Sequence, residues 1–340
     1  MKRLGSRFAF AASMTLAMCA AGAGRADPVE DFYRGKQIRA IVGLDAGSDY
    51  DVWMRLATRH WGRFIPGRPG FVVTNMPGAG QIVATNYIAN IAEKDGTVVG
   101  TTERNLPFQL LMGEKNISFD PNKLNWIGSP ENTNRVCAAL EGAPVQKAAD
   151  LFEKELIVGG GGSGSSISNT PVLLNKLLGM KFKLVEGYNT SQNILMAMER
   201  GEVQGICQTY AGLNSTRPGW IDAGKLKVLF SMEREPIPGT KIPTIYEYTK
   251  TEEQREIIEL YDSNLELGRP LIAAPGVPAE RVTALRRGFD AMTADPEFIA
   301  EAHKLGFHVT LRTGEELQQT VAKMMATPKA IIEKTIALTK

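Results

Sequence analysis

Reactive side chains are scarce in this 340-residue chain, which has three histidines and three cysteines. His60, His303 and His308 show neither metal-ligand spacing nor the pattern of a Ser-His-Asp hydrolase, and His60 reads as a polar-face or packed residue. No Gly-x-Ser-x-Gly elbow occurs. Cys137 and Cys207 sit in short apolar runs, the setting of a buried strand rather than of an activated thiol. Beyond the first two dozen residues no apolar run reaches the about 20 residues that span a bilayer. These absences leave no catalytic residue, metal or cofactor to expect.

A strong excess of either charge is also missing. The formal charge is +2, from 39 basic and 37 acidic residues. Even that surplus belongs to the N-terminal segment. Lys2, Arg3 and Arg7 precede an apolar run, Phe8 to Met18, too short to stay in a membrane. Gly24-Arg25-Ala26 fits a small-x-small cleavage pattern, so residues 1–26 read as a signal peptide cleaved near Ala26 and the protein as periplasmic. A lipid anchor would use Cys19, but Met18 stands where a small residue is expected. Without residues 1–26 the chain keeps 35 basic and 37 acidic residues, which argues against a nucleic-acid partner. In an oxidising compartment Cys137 and Cys207 could pair; two ordinary buried thiols fit the same runs.

What is present is an alternation of strands and helices. Residues 38–44 are an apolar strand. Trp53, Leu56, Ala57, Trp61 and Phe64 then recur at helical spacing until Pro66-Gly67. Phe71 to Val73 form a strand, Val83, Tyr87 and Ile91 mark a helix, and Thr97 to Thr101 form a strand. This β-α-β-α-β order favours a mostly parallel sheet covered by helices. The pattern restarts near residue 135, with strands at 135–140, 156–158, 182–186, 203–207 and 226–230 and helices at 171–178 and 192–200. Residues 233–244, rich in Pro and charge, read as a boundary. A strand at 271–273 and helices at 278–292, 296–305 and 314–325 follow, and Pro278 and Pro296 suit first helical turns.

Three loops run from a strand into a helix. Asp45-Ala46-Gly47-Ser48-Asp49-Tyr50-Asp51 offers free backbone N–H groups at a helix N-terminus, the positive end of its dipole. The plainer reading of its acids is that Asp49 or Asp51 caps the helix. Gly159 to Ser166 has the same placement and is nearly all Gly and Ser. It lacks the Lys-Ser/Thr ending of a phosphate-binding P-loop and the third Gly of a dinucleotide fingerprint, so no nucleotide is expected. Asn75 to Gln81 reads as a turn that lets a helix pack closely on the sheet.

Taken in order, six segments resemble one family, the extracytoplasmic receptors of tripartite tricarboxylate transporters, the TctC-like or Bug proteins. They are IVGLDAGSDYDVWMRLA, VTNMPGAGQIVATNYIAN, AEKDGTVVG, ISFDPNKLNWIGSP, VEGYNTSQNILMAMERGEVQG and LIAAPGVPAERVTALRRGF. The resemblance covers nearly the whole chain after residue 26. It implies an α/β, two-lobed periplasmic-binding-protein fold of type II, a Venus flytrap with a mostly parallel, helix-flanked sheet in each lobe. Lobe 1 would take residues 27–135 and 241–340, and lobe 2 residues 136–240. It implies a monomeric receptor, not an enzyme, that closes on a small organic acid and serves the membrane subunits of a transporter. A binding protein that signals to a membrane sensor kinase would use the same clamshell. Carried over by position, the ligand contacts would be Ala46, Gly47, Ser48, Asp49 and Tyr50 in the first loop. After the third strand they would be Thr102, Arg104 and Asn105. In lobe 2 they would be Gly162, Ser163, Gly164, Ser165, Ser166, Tyr188 and Asn189. Arg104 is the expected direct partner, because a guanidinium matches a carboxylate fork. The first loop departs from the family's Pro-Pro-Gly-Gly pattern, and Asp45 and Asp49 bring acids to it. Such acids would have to point away or meet a cationic group on the ligand, which admits an amino acid beside di- and tricarboxylates. Tyr50, Trp53, Phe108 and Tyr188 would also suit an aromatic acid.

Overall fold

The computed structural model of the protein describes residues 27–161, 165–188 and 190–339. The expected signal peptide and Gly162, Ser163, Gly164 and Asn189 lie outside the described residues.

The chain opens with α1 (Pro28–Tyr33), β1 (Gln37–Val42), α2 (Asp49–Trp61), β2 (Gly70–Asn75), α3 (Ile82–Asn90), β3 (Val98–Thr101), α4 (Leu106–Leu111) and β4 (Asn125–Ser129). A second unit follows with β5 (Arg135–Leu140), β6 (Leu156–Gly159), α5 (Ser166–Leu178), β7 (Phe182–Val185), α6 (Ser191–Glu199), β8 (Gly205–Thr209), α7 (Tyr210–Thr216) and β9 (Leu226–Ser231). The return carries α8 (Glu252–Glu266), β10 (Leu271–Ala273), α9 (Ala279–Thr293), α10 (Pro296–Lys304), β11 (Arg312–Thr313), α11 (Gly314–Met325) and α12 (Lys329–Thr339).

Two sheets result. The six-stranded one has the order β11-β4-β10-β3-β1-β2 and the five-stranded one β7-β6-β8-β5-β9. The parallel pairing expected of each sheet covers only its βαβ half: β2-β1-β3 in the first and β7-β6-β8 in the second. β10 runs antiparallel between β3 and β4, and β5 runs antiparallel between β8 and β9, so both sheets are mixed. The reason is the path of the chain. β10 returns to the first sheet from the other end of the molecule, and no βαβ crossover forces it to run parallel.

Local packing follows the apolar pattern. α2 buries Trp53, Leu56, Ala57 and Trp61. Trp61 stacks on Phe71 at 5.2 Å, meets Phe289 edge-on at 5.4 Å and donates its indole N–H to the Leu285 carbonyl at 3.2 Å. Its burial contributes roughly 3 kcal/mol, the upper end for a large side chain. Gly100 lets α3 lie close on β3, because a Cβ there would come within 2.4 Å of Ile88 Cδ1 and 2.7 Å of the Ile41 carbonyl. In the second sheet Cys137 and Cys207 stand directly opposite each other on β5 and β8 and form a buried disulfide. Of the two readings open for these cysteines, the structure has the bond. The last helices divide between the sheets. α11 packs on β4, whereas α12 packs on α8 and α5.

Candidate functional site

The first loop is braced from within. Ser48 caps α2, its hydroxyl accepting from the Asp51 N–H at 3.4 Å. The expected cap at Asp49 or Asp51 is therefore replaced by the residue before them. Asp51 is freed for another task. It is 2% exposed and accepts from the Gly47 N–H at 2.9 Å, Arg55 Nε at 2.8 Å and Asn75 Nδ2 at 2.9 Å. Asn75 also donates to the Leu44 carbonyl at 2.9 Å. The Gly47 N–H is thus spent inside the loop, and the Ser48 N–H donates to the Asp45 carbonyl at 3.2 Å. Ala46, Gly47 and Asp49 are exposed, while Tyr50 is buried and turned inward.

Tyr50 joins this loop to the end of β3. Its hydroxyl donates to Glu103 Oε2 at 3.3 Å, and the Arg269 guanidinium lies over its ring at 5.4 Å. Burial pushes the Tyr50 hydroxyl above the usual tyrosine range; Glu103 adds to the shift, and Arg104 and Arg269 oppose it. Arg269 is held by Glu131 at 2.5 Å and reaches Asp49 at 3.4 Å. Gln81, fully buried in the left-handed region at φ 72°, accepts from Thr101 Oγ1 at 2.7 Å and donates to Glu103 Oε2 at 3.4 Å. Gly43 makes the room, since a Cβ there would come within 2.7 Å of the Gln81 side chain. The Asn75–Gln81 segment, read as a packing turn, therefore also positions both loops. Thr102 is 1% exposed and shares its hydroxyl with Thr85 at 2.9 Å. Arg104 is half-buried and makes no hydrogen bond or ion pair among the described residues.

The second sheet presents the same end of its strands. Ser165 caps α5, accepting from the Ile167 N–H at 3.3 Å, and Ser168 Oγ donates to the Gly161 carbonyl at 3.1 Å. The Tyr188 N–H donates to the Gly160 carbonyl at 3.2 Å, and its ring packs on the core beneath α6 and α7. The expected contacts Gly162, Ser163, Gly164 and Asn189 fall outside the described residues.

Helix α8, absent from the sequence reading, links the two ends. Asn264 is hydrogen-bonded to Asn105, and one turn earlier Tyr261 shares a hydrogen with Thr170 Oγ1 at 3.0 Å and donates to the Ser166 carbonyl at 3.4 Å. Residues three apart lie on one helix face, so a single stripe of α8 touches both predicted contact regions. Beside it Arg135 Nε donates to Asp262 Oδ1 at 2.7 Å in a buried ion pair, with the guanidinium over the Tyr261 ring. Burial pushes the Asp262 carboxyl up against the pull of Arg135, and Arg104 adds to that pull. Burial also pushes the neighbouring Glu233 up to about 8. Buried Gln208 Nε2, at the same end of β8, has no partner among the described residues. The structure thus brings Arg104, Asn105 and Ser166 to α8 and joins Tyr50 to the end of β3. It adds Glu103, Arg135, Asp262, Asn264 and Arg269, which sequence reasoning did not single out.

Two mixed α/β sheets, joined by chain crossings and presenting helix N-termini at their strand ends, define a two-lobed periplasmic binding protein. The sequence profile of the tripartite tricarboxylate transporter family receptor, TctC, matches residues 67–337, and the chain belongs to that family. A ligand-free TctC solute-binding protein from Polaromonas is 21% identical, with 89% of this chain and 99% of that one covered and a TM-score of 0.70. MatC from Rhodopseudomonas palustris, with bound malate, is 19% identical over 88% of this chain and 99% of its own, with a TM-score of 0.52. A second R. palustris protein, with adipate, is 18% identical over 90% and 97%, with a TM-score of 0.53. At these identities the likeness is one of fold. No curated protein matches the chain.

Proposed function

We propose that this receptor captures a small carboxylate between its lobes and delivers it, as a monomer, to the membrane subunits of a tripartite tricarboxylate transporter. The observation that carries the reading is Arg104. It stands at the end of β3, beside the first loop and α8, without an ion-pair partner among the described residues. A half-buried guanidinium left unpaired is a ready partner for a carboxylate fork. The N-terminus of α2, where Asp49 and Tyr50 donate no hydrogen bond from their N–H groups among the described residues, supplies further donors. Ser165, Ser166, Tyr188 and the Gly162–Gly164 and Asn189 positions would contribute from the other lobe. The malate and adipate carried by the two relatives support a carboxylate ligand.

Closing would bring lobe 2, residues 136–240, onto lobe 1, residues 27–135 and 241–340. The packing of α12 on α5 and α8, and the hydrogen bonds of Tyr261 on α8 to Thr170 and Ser166 on α5, support letting these two helices of residues 241–340 travel with lobe 2 instead. Closure strips water from the ligand and strengthens the Arg104 contact. The test is calorimetric titration of residues 27–340 with mono-, di- and tricarboxylates. Arg104→Ala is expected to weaken the best ligand at least tenfold, and unchanged affinity would remove Arg104 from the site.

A further inference from the structure

Beside Arg104, a guanidinium without an ion-pair partner among the described residues, stands a carboxylate likewise without one. Glu103 Oε2 accepts two long hydrogen bonds, from Tyr50 at 3.3 Å and from Gln81 at 3.4 Å, and Oε1 accepts none among the described residues. A carboxylate offers about four acceptor positions. No Lys or Arg lies within ion-pair distance of Glu103 among the described residues, although the protein pairs most acids around this site. Asp49 meets Arg269, Glu131 meets Arg269, Asp51 meets Arg55 and Asp262 meets Arg135. Asp45 and Asp49, the acids conspicuous in the sequence, are respectively exposed and both exposed and paired. On two consecutive residues at the end of β3, one carboxylate and one guanidinium remain without an ion-pair partner among the described residues. Both are half-buried, and both act on the buried Tyr50 hydroxyl, in opposite directions.

We propose that Glu103 selects ligands bearing an ammonium group, so that the receptor takes aminocarboxylates: Arg104 holds the carboxylate and Glu103 the amine. The proposal rests on the carboxylate reading of the site given above. Glu103 is held in place rather than free to swing away. Gln81 is locked by Thr101 and by the space Gly43 leaves, and Tyr50 is clamped beneath Arg269. A dicarboxylate lying across the pair would put its second charge against Glu103. An aminocarboxylate would complete both charges at once, and a desolvated carboxylate facing no cation penalises the wrong ligand more than it rewards the right one.

The experiment titrates residues 27–340 with matched pairs that differ only in the amine: glutamate and glutarate, aspartate and succinate, phenylalanine and 3-phenylpropanoate. For the best-bound pair the amino member is expected to bind at least tenfold more tightly. In Glu103→Gln the ratio is expected to fall to within about threefold, because the amide no longer attracts an ammonium or repels a carboxylate. A wild-type protein that binds the amine-free acid as tightly overturns the proposal and leaves the carboxylate reading standing. So does a variant that folds and keeps the wild-type ratio. Wild-type protein that binds no member of any pair overturns the carboxylate reading, and the role of Glu103 with it. Should the variant not fold, the wild-type ratio alone decides.

Discussion

Burial pushes the Asp51 carboxyl up, yet hydrogen bonds from Arg55, Gly47 and Asn75 outweigh it and hold the group down at about 2. The stability this carboxylate contributes is therefore present above the unfolded value of about 3.9 and is lost only as pH falls towards 2. Glu233 has the opposite sign. Burial raises its carboxyl to about 8, with Asp262 adding to the shift. Between the unfolded value of about 4.3 and that figure, the folded state holds a proton that the unfolded chain has released, so stability falls as pH rises through this window. Glu233→Gln is neutral at every pH. Thermal melts are expected to show the wild type losing a few degrees more than the variant between about pH 5 and pH 8. Parallel curves would mean that Glu233 ionises in place without cost. Both residues lie outside any direct ligand contact proposed here, and they shape the site by fixing what stands around it.

At the scale of elements, the disulfide joins neighbouring strands of one sheet and closes a segment across 70 residues of sequence. In the chain-entropy account a loop of that length stabilises by about 4 kcal/mol. Replacing both cysteines by alanine is expected to lower the unfolding free energy by roughly that amount in denaturant titrations. A loss below about 1 kcal/mol would show that the Cys137–Cys207 cross-link confines the unfolded chain little. Most elements were legible before the structure, because their apolar residues recur cleanly, as Trp53, Leu56, Ala57 and Trp61 do on α2. Helix α8 was not, although Thr251 and Gln254 form a capping box at its start. Its buried face carries Tyr261, Asp262 and Ser263, and these polar residues break the apolar stripe that marks a helix. β11, two residues long, has no periodicity to read. The direction in which β10 and β5 pair is not written in their composition at all. For the proposed site, the sequence points to the end of β3 through residues 102–105, with Arg104 as the expected carboxylate partner. Glu103 falls inside that stretch, but no role for it can be read until Gln81 and Tyr50 are seen to arrive from two other segments.

At the scale of the whole molecule, one of three hydrophobic clusters takes residues from both sheets, with α8 and α12 contributing to it, while the other face of each sheet has a cluster of its own. The sheets differ in how they are assembled from the chain. Every strand of the five-stranded sheet comes from residues 135–231, whereas β10, from residues 271–273, pairs with β3 on one side and β4 on the other and joins these two parts of the first sheet. A chain that emerges N-terminus first can therefore complete the middle sheet while the first is still two pieces waiting for a strand. Refolding followed by pulsed hydrogen exchange is expected to protect the amides of β5, β6 and β8 before those of β3 and β4. The opposite order would mean that the β2-β1-β3 unit nucleates folding alone. If the exchange order holds, the interleaving also sets a timetable: the end of β3, where Glu103 and Arg104 stand, is then among the last parts of the receptor to become fixed, and a half-emerged chain lacks the site proposed there.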